Sequence, residues 1–292
     1  MIMKRVIYSI YIDIPEKEHY ARSFNYEKQH NLDRSKLTRE NFSKHRDRLI
    51  NNKKEYCKNI DVPFMMFEYD LRYQKFEQTL LKNYPVLTKY EVVNFYKLHI
   101  LEELSKEYDE ILYLDFDAIP VTKESFFDAW DLSKGICVLD NNNKIKKYNL
   151  NTSQKSTRSP SAKYYNCQAM LINKGLDPNN DVINTGIIGA RKEDIIKLDF
   201  FGDFKDTIDL MTKLINVDDG LYPPNVRKTF RYDNETIFSY KTNMNNVSIQ
   251  WLNNKWHYFF DTQFFIPKET KIVHTINKDF DMVWRYCEKH NL

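Results

Sequence analysis

The alternation of apolar and polar positions opens with Val-Ile-Tyr-Ser-Ile-Tyr-Ile-Asp-Ile at residues 6–14, which reads as a strand closed by Pro15. Residues 22–58 are polar, rich in Lys, Arg and Asn and mostly helical in propensity, with their charges expected on a solvated face. Residues 63–69 are apolar enough for a second strand. Thr88 and Glu91 have the spacing of a capping box, so a helix is predicted to start there and run to about Lys106. It delivers the chain to Asp-Glu-Ile-Leu-Tyr-Leu-Asp-Phe-Asp-Ala-Ile-Pro-Val at 109–121, where residues 111–114 make a short buried strand. Further strands are expected at 134–140, 181–190 and 271–275. A polar loop is expected over 141–166, and a hairpin-like stretch over 247–260 that turns at Asn253-Asn254. This order of strands and helices predicts an α/β fold with a largely parallel sheet, in a single domain without internal repeat.

The stretch around which the rest is organised ends in two carboxylates, Asp115 and Asp117, separated by Phe116. In an extended chain residues i and i+2 share a side, so both carboxylates can face one pocket while Phe116 packs the other way. Two adjacent anions repel unless a cation or proton lies between them. A hard divalent ion, Mg²⁺ or Mn²⁺, is the natural solution, and the carboxyl end of a strand is where α/β sheets bind ligands. A solvated acidic turn is the plainer alternative.

Other positions break their local pattern. Lys97 falls in the apolar stripe of Val93, Ile100 and Leu104, where it either snorkels to the surface or aims at phosphates held by the metal. Asn184-Thr185-Gly186 interrupts an apolar run, as a β-bulge with a satisfied Asn or as a place of close ligand approach. Asp233 is placed to cap the helix that begins with Asn234-Glu235. His274 ends the strand at 271–275, either as an ordinary core histidine or as a third metal ligand with Asp115 and Asp117.

With 42% hydrophobic and 29% charged residues the chain has a globular balance, and a net charge of only +3 implies no general attraction to nucleic acid. The four cysteines are widely spaced and form no metal-ligand pair, which fits free thiols in a reducing compartment. No apolar run reaches the length of a membrane span. A soluble, cytoplasmic protein is expected, with peripheral membrane contact left open.

In order along the chain, Lys97, Asp115 with Asp117, Asn184-Thr185-Gly186, Asp233-Asn234-Glu235, and His274 with Lys278 and Trp284 resemble the motif series of glycosyltransferase family 8. That group includes glycogenin-like and lipopolysaccharide galactosyl- and glucosyltransferases. The resemblance spans roughly residues 88 to 284, and the order of its motifs is more specific than any one of them. The family has arginine where Lys97 stands, a second aspartate where Glu235 stands, and a longer, glycine-containing gap between histidine and lysine.

The resemblance implies a GT-A fold, a Rossmann-like mixed sheet flanked by helices, with 1–120 as the nucleotide-binding half and 121–292 as the donor-sugar and acceptor half. It implies Asp115, Asp117 and His274 on Mn²⁺ or Mg²⁺, with the aspartates also reaching the ribose, and Lys97 and Lys278 on the diphosphate. Asn184, Thr185, Gly186 and Asp233 would bind or orient the donor, with Asp233 and Asn184 the catalytic candidates. The donor would be a nucleotide sugar, with UDP the expected nucleotide, the acceptor a glycan, and the transfer retaining. The rival readings are a phosphatase of the haloacid dehalogenase type, with Asp218-Asp219 as its later acidic motif, and a GT-A scaffold that binds carbohydrate without catalysis.

Overall fold

The computed structural model describes residues 3–14, 28–141, 159–216, 231–260 and 265–292. In chain order these give β1 (Arg5–Ile10), α1 (Lys28–Asn59), β2 (Phe64–Phe67), α2 (Leu71–Asn83), α3 (Lys89–Leu104), β3 (Glu110–Leu114) and β4 (Ala118–Pro120). Then come the short α4 (Phe126–Ala129), β5 (Ile136–Asp140), α5 (Ser159–Asn173), β6 (Ile183–Arg191), α6 (Lys192–Leu198) and α7 (Phe204–Asn216). The described chain closes with α8 (Asn234–Met244), β7 (Ile249–Trp251), β8 (Tyr258–Phe260), β9 (Ile272–Thr275) and α9 (Phe280–His290).

The expected α/β class holds, and the main sheet is mixed, as the family resemblance implies, rather than largely parallel, as the order of elements alone suggests. Its order is β2-β1-β3-β6-β5-β7, with β6 antiparallel to both β3 and β5. Strands β1, β2 and β3 are parallel, so their carboxyl ends open on one side. Residue types alone do not reveal the reversal, because β6 is largely buried like its parallel neighbours and its Asn184-Thr185-Gly186 interruption says nothing of direction. A smaller sheet, β4-β9-β8, stands apart from it.

Alternation along β1 and β3 builds two cores. Val6, Tyr8, Ile111 and Tyr113 face one side, while Ile7, Leu112 and Leu114 face the other. A third cluster joins Phe116, Ile119 and Val273 to Leu49 of α1 and Trp284 of α9.

Two local expectations change. The stretch 247–260 is not a hairpin: β7 pairs with β5 in the large sheet and β8 with β9 in the small one. Asn253 does turn the chain, its side-chain oxygen accepting from the backbone of Lys255 and Trp256. In the polar stretch 141–166, residues 142–158 lie outside the described residues, but its end is helical, with Pro160 in the first turn where a missing N–H is harmless. The Asp218-Asp219 pair also lies outside the described residues.

Candidate active site

The helix start at Thr88 forms as predicted, with Glu91 reaching back to the Thr88 backbone, and carries α3 towards β3. At the end of β3 the two aspartates lie in a turn rather than on an extended strand, because Ala118 N donates to Asp115 O at 2.9 Å. The turn still aims both carboxylates into one pocket. Phe116 packs away, stacked on Tyr11 with ring centroids 4.6 Å apart. Beneath the turn the Lys53 ammonium, fully buried, donates to Phe116 O at 2.8 Å. Burial pulls the Lys53 amine down to about 7, against the attraction of Asp117 and Asp115.

Strand register brings His274 to this turn across a long stretch of sequence. β4 pairs antiparallel with β9, Ala118 opposite His274, and Thr275 N donates to Asp117 O at 3.1 Å. His274 Nε2 then lies 3.8 Å from Asp115 Oδ2 and 3.4 Å from Asp117 Oδ2. Its other nitrogen, Nδ1, is 2.9 Å from His257 Nε2. One ligand atom from each of Asp115, Asp117 and His274 lies within 4.8 Å of the others. Gly186 makes this approach feasible: a Cβ there would stand 2.4 Å from His274 Cε1 and 3.0 Å from Asp115 Oδ2. Two carboxylates and an imidazole, converging where even a methyl group does not fit, suit a divalent ion such as Mn²⁺ or Mg²⁺.

Two lysines flank the acids. Lys97 does not snorkel: it is 4% exposed, and its ammonium donates to Thr185 O at 3.2 Å and lies 3.5 Å from Asp115 Oδ1. Tyr113 donates to the same Asp115 oxygen at 2.5 Å. Lys278 pairs with Asp117 Oδ2 from a turn in which its φ is +58°, a left-handed region uncommon for residues other than glycine, asparagine and aspartate. Burial works against the Asp117 carboxylate, but Lys278 and His274 outweigh it and hold its pKa below the usual range.

Beside Lys97, Asn184, Thr185 and Asp233 gather around a residue that drew little notice in the sequence. Glu235 Oε1 accepts from Asn184 Nδ2 at 3.0 Å and from Thr185 N at 2.9 Å, and its second oxygen pairs with Lys163 of α5. Burial raises the Glu235 pKa, yet Lys163, Lys97 and these donors bring it below its ordinary value. Asp233 is the helix cap, accepting from the backbone of Glu235 and Thr236. Burial leads its carboxyl upward. Between Cys137↔Gly189 and Leu139↔Asn184 the β5–β6 register shifts, so a bulge coincides with the Asn184-Thr185-Gly186 interruption. There Gly186 O turns to accept from Asp115 N at 2.8 Å. Trp284 is core, 3% exposed, its indole N–H donating to His45.

Sequence reasoning missed His257, Lys163 and Lys53. Each sits in an ordinary polar or aromatic stretch, and only a long-range pairing gives it a role. A buried lysine amid the charged residues of α1 has no periodicity of its own to mark it.

No described helix is long and apolar enough to cross a membrane. No family model matches the chain, and no curated protein matches it in sequence. Among solved structures it is similar to a glycosyltransferase involved in the glycosylation of the major capsid of PBCV-1, at 14% identity and a TM-score of 0.42, over 96% of this chain and 99% of that one. Mouse xyloside xylosyltransferase 1 is similar at 12% identity and a TM-score of 0.40, over 73% of this chain and 76% of its own. The bifunctional glycosyltransferase WbbM is similar at 11% identity and a TM-score of 0.44, over 94% of this chain and 46% of WbbM.

Proposed function

We propose that the chain is a metal-dependent glycosyltransferase of GT-A fold that moves a sugar from a nucleoside-diphosphate sugar, with UDP the favoured carrier, to a glycan-type acceptor. The observation that carries this reading is the convergence of Asp115, Asp117 and His274 at the carboxyl end of β3, with Lys97 and Lys278 on either side. Asp115, Asp117 and His274 would hold a divalent ion, which would supply Lewis acidity for loss of the diphosphate. Lys97 and Lys278 add fixed positive charge where negative charge develops, and Lys97, being buried, does so in a low-dielectric setting. Residues 1–120 form the nucleotide half of one domain and 121–292 the sugar and acceptor half. Asn184, Thr185, Gly186 and Asp233 orient the donor sugar, and the transfer retains configuration.

The test is thermal melting with UDP, GDP, CMP and ADP, each with and without Mn²⁺, because a ligand specific to the folded state raises Tm by mass action. A Mn²⁺-dependent rise with one nucleotide supports the reading and identifies the base. Stabilisation by Mg²⁺ with a phosphate mimic, and by no nucleotide, points to the phosphatase instead. Loss of the nucleotide effect in Asp117→Asn separates the proposed site from binding elsewhere.

A further inference from the structure

We propose that His257 is a positioning residue for the metal centre: it accepts a hydrogen bond from His274 Nδ1–H and so leaves the lone pair of His274 Nε2 facing Asp115 and Asp117. The inference rests on the reading of Asp115, Asp117 and His274 as a divalent-cation site.

A neutral imidazole carries one N–H, and only the other nitrogen can ligate a metal. The surroundings of His274 divide its two nitrogens cleanly. Nε2 looks towards Asp117 Oδ2 at 3.4 Å and Asp115 Oδ2 at 3.8 Å, whereas Nδ1 meets His257 Nε2 at 2.9 Å. Metal-bound histidines as a rule give their second N–H to a fixed acceptor, which sets both tautomer and ring orientation. That acceptor is commonly a carboxylate or a carbonyl; here it is a second imidazole, itself 1% exposed.

The geometry around the pair leaves little freedom. The two rings are nearly parallel, 29° apart with centroids at 5.1 Å, and Phe259 lies 4.8 Å from one and 5.2 Å from the other. Gly186 backs the His274 ring so closely that no side chain fits between them. β8 and β9 run parallel with Phe259 opposite His274, so His257, just before β8, stands two residues ahead of the one that faces the ligand. A neutral acceptor also differs in kind from a carboxylate: it orients His274 without adding a third negative charge beside Asp115 and Asp117.

The experiment is calorimetric titration with Mn²⁺ alone, on the full chain, for the native protein and for His257→Phe, His257→Gln and Asp117→Asn. Phe keeps the ring and its stacking but removes the acceptor, and Gln restores an acceptor oxygen. The expected result is a dissociation constant about ten- to a hundredfold weaker for His257→Phe, as for other removed partners of metal-bound histidines. His257→Gln should recover most of the loss, with the metal-free melting temperatures of both variants close to the native value. If His257→Phe fails to fold, His257→Met, also without an acceptor there, takes its place. Native-like Mn²⁺ affinity in the Phe or Met variant, with Asp117→Asn impaired, overturns the role of His257 alone. Equal Mn²⁺ affinity in the native protein and Asp117→Asn, or none in either, overturns the metal centre and this inference with it.

Discussion

At Gly186 the absence of one carbon lets His274 and Asp115 share a pocket. An alanine Cβ would stand 2.4 Å from His274 Cε1 and 2.8 Å from its Nδ1, so the imidazole must shift. Overpacking of this kind costs about 1–3 kcal/mol. Gly186→Ala is therefore expected to lower stability by that order in urea unfolding, and to weaken Mn²⁺ binding in calorimetry far more than a distant change of equal cost. Lys163 makes a different prediction. Its Glu235 partner is buried and committed to Asn184 and Thr185, so Lys163→Met strands a charge. Breaking one side of such a pair costs about 3–5 kcal/mol, and Lys163→Met with Glu235→Gln should restore much of it in the same urea experiment. The two residues differ in how far they could be read beforehand. Gly186 was visible because it interrupts an apolar run with its neighbours Asn184 and Thr185. Lys163 was invisible because a lysine in a polar stretch is the commonest thing there, and its partner is 72 residues away.

Among the elements, α3 shows a local signal giving a reliable boundary and also a charge under tension. The capping box at Thr88 and Glu91 forms as its spacing demands, yet burial pushes the Glu91 carboxyl up to about 7 despite the Thr88 hydrogen bonds, with Asp233 adding to the rise. The sign follows from linkage. Near pH 4 both folded and unfolded chains hold the proton and Glu91 is neutral in its effect. As pH rises from the ordinary carboxylate pKa to about 7, the unfolded chain ionises first, so the folded state loses ground, and above that the loss is constant. Glutamine keeps the capping box without ionising. The difference in Tm between Glu91→Gln and the native chain should move in favour of the variant from about pH 4.5 to 7 and then level off, as read from melting curves across that range. Strand pairing is less legible than capping. Existence and rough position of β1, β2, β3, β5, β6 and β9 follow from apolar runs, but direction does not, because a strand buried on both faces has the same composition either way. The stretch 247–260 made the sharper error: its two short strands are neighbours in sequence but serve different sheets, and no residue within them carries that information.

Over the whole molecule, the Asp115–Asp117 turn is one of the covalent links between two sheets, the segments from β4 to β5 and from β7 to β8 being others, and the two sheets share part of their core. β3 belongs to the six-stranded sheet and β4 to the three-stranded one; Ile119 and Val273 of the small sheet pack with Leu49 of α1 and Trp284 of α9, while Ala118 and Ile272 pack with Ile7, Leu112 and Leu114. The proposed ligands straddle this junction: Asp115 follows the large sheet directly, while His274 lies in β9 and Lys278 in the turn after it. In the free protein the small sheet is held to the turn by Thr275 N and Oγ1 on Asp117 O and by the Lys278 pair. A bound divalent ion adds a further tie at the same place. It stabilises the folded state by about 2.7 kcal/mol when its free concentration is a hundred times its dissociation constant. That stabilisation should be uneven, because local opening of β4 and β9 breaks the site, whereas opening of the β2 edge does not. Hydrogen exchange with saturating Mn²⁺ is therefore expected to slow in residues 117–121 and 271–278 well beyond any change in 64–67. Uniform slowing would mean that the ion senses only global unfolding, and slowing confined to another region would move the metal site away from Asp115, Asp117 and His274. Asp117→Asn is the control, and in it the contrast between the two sheets should vanish.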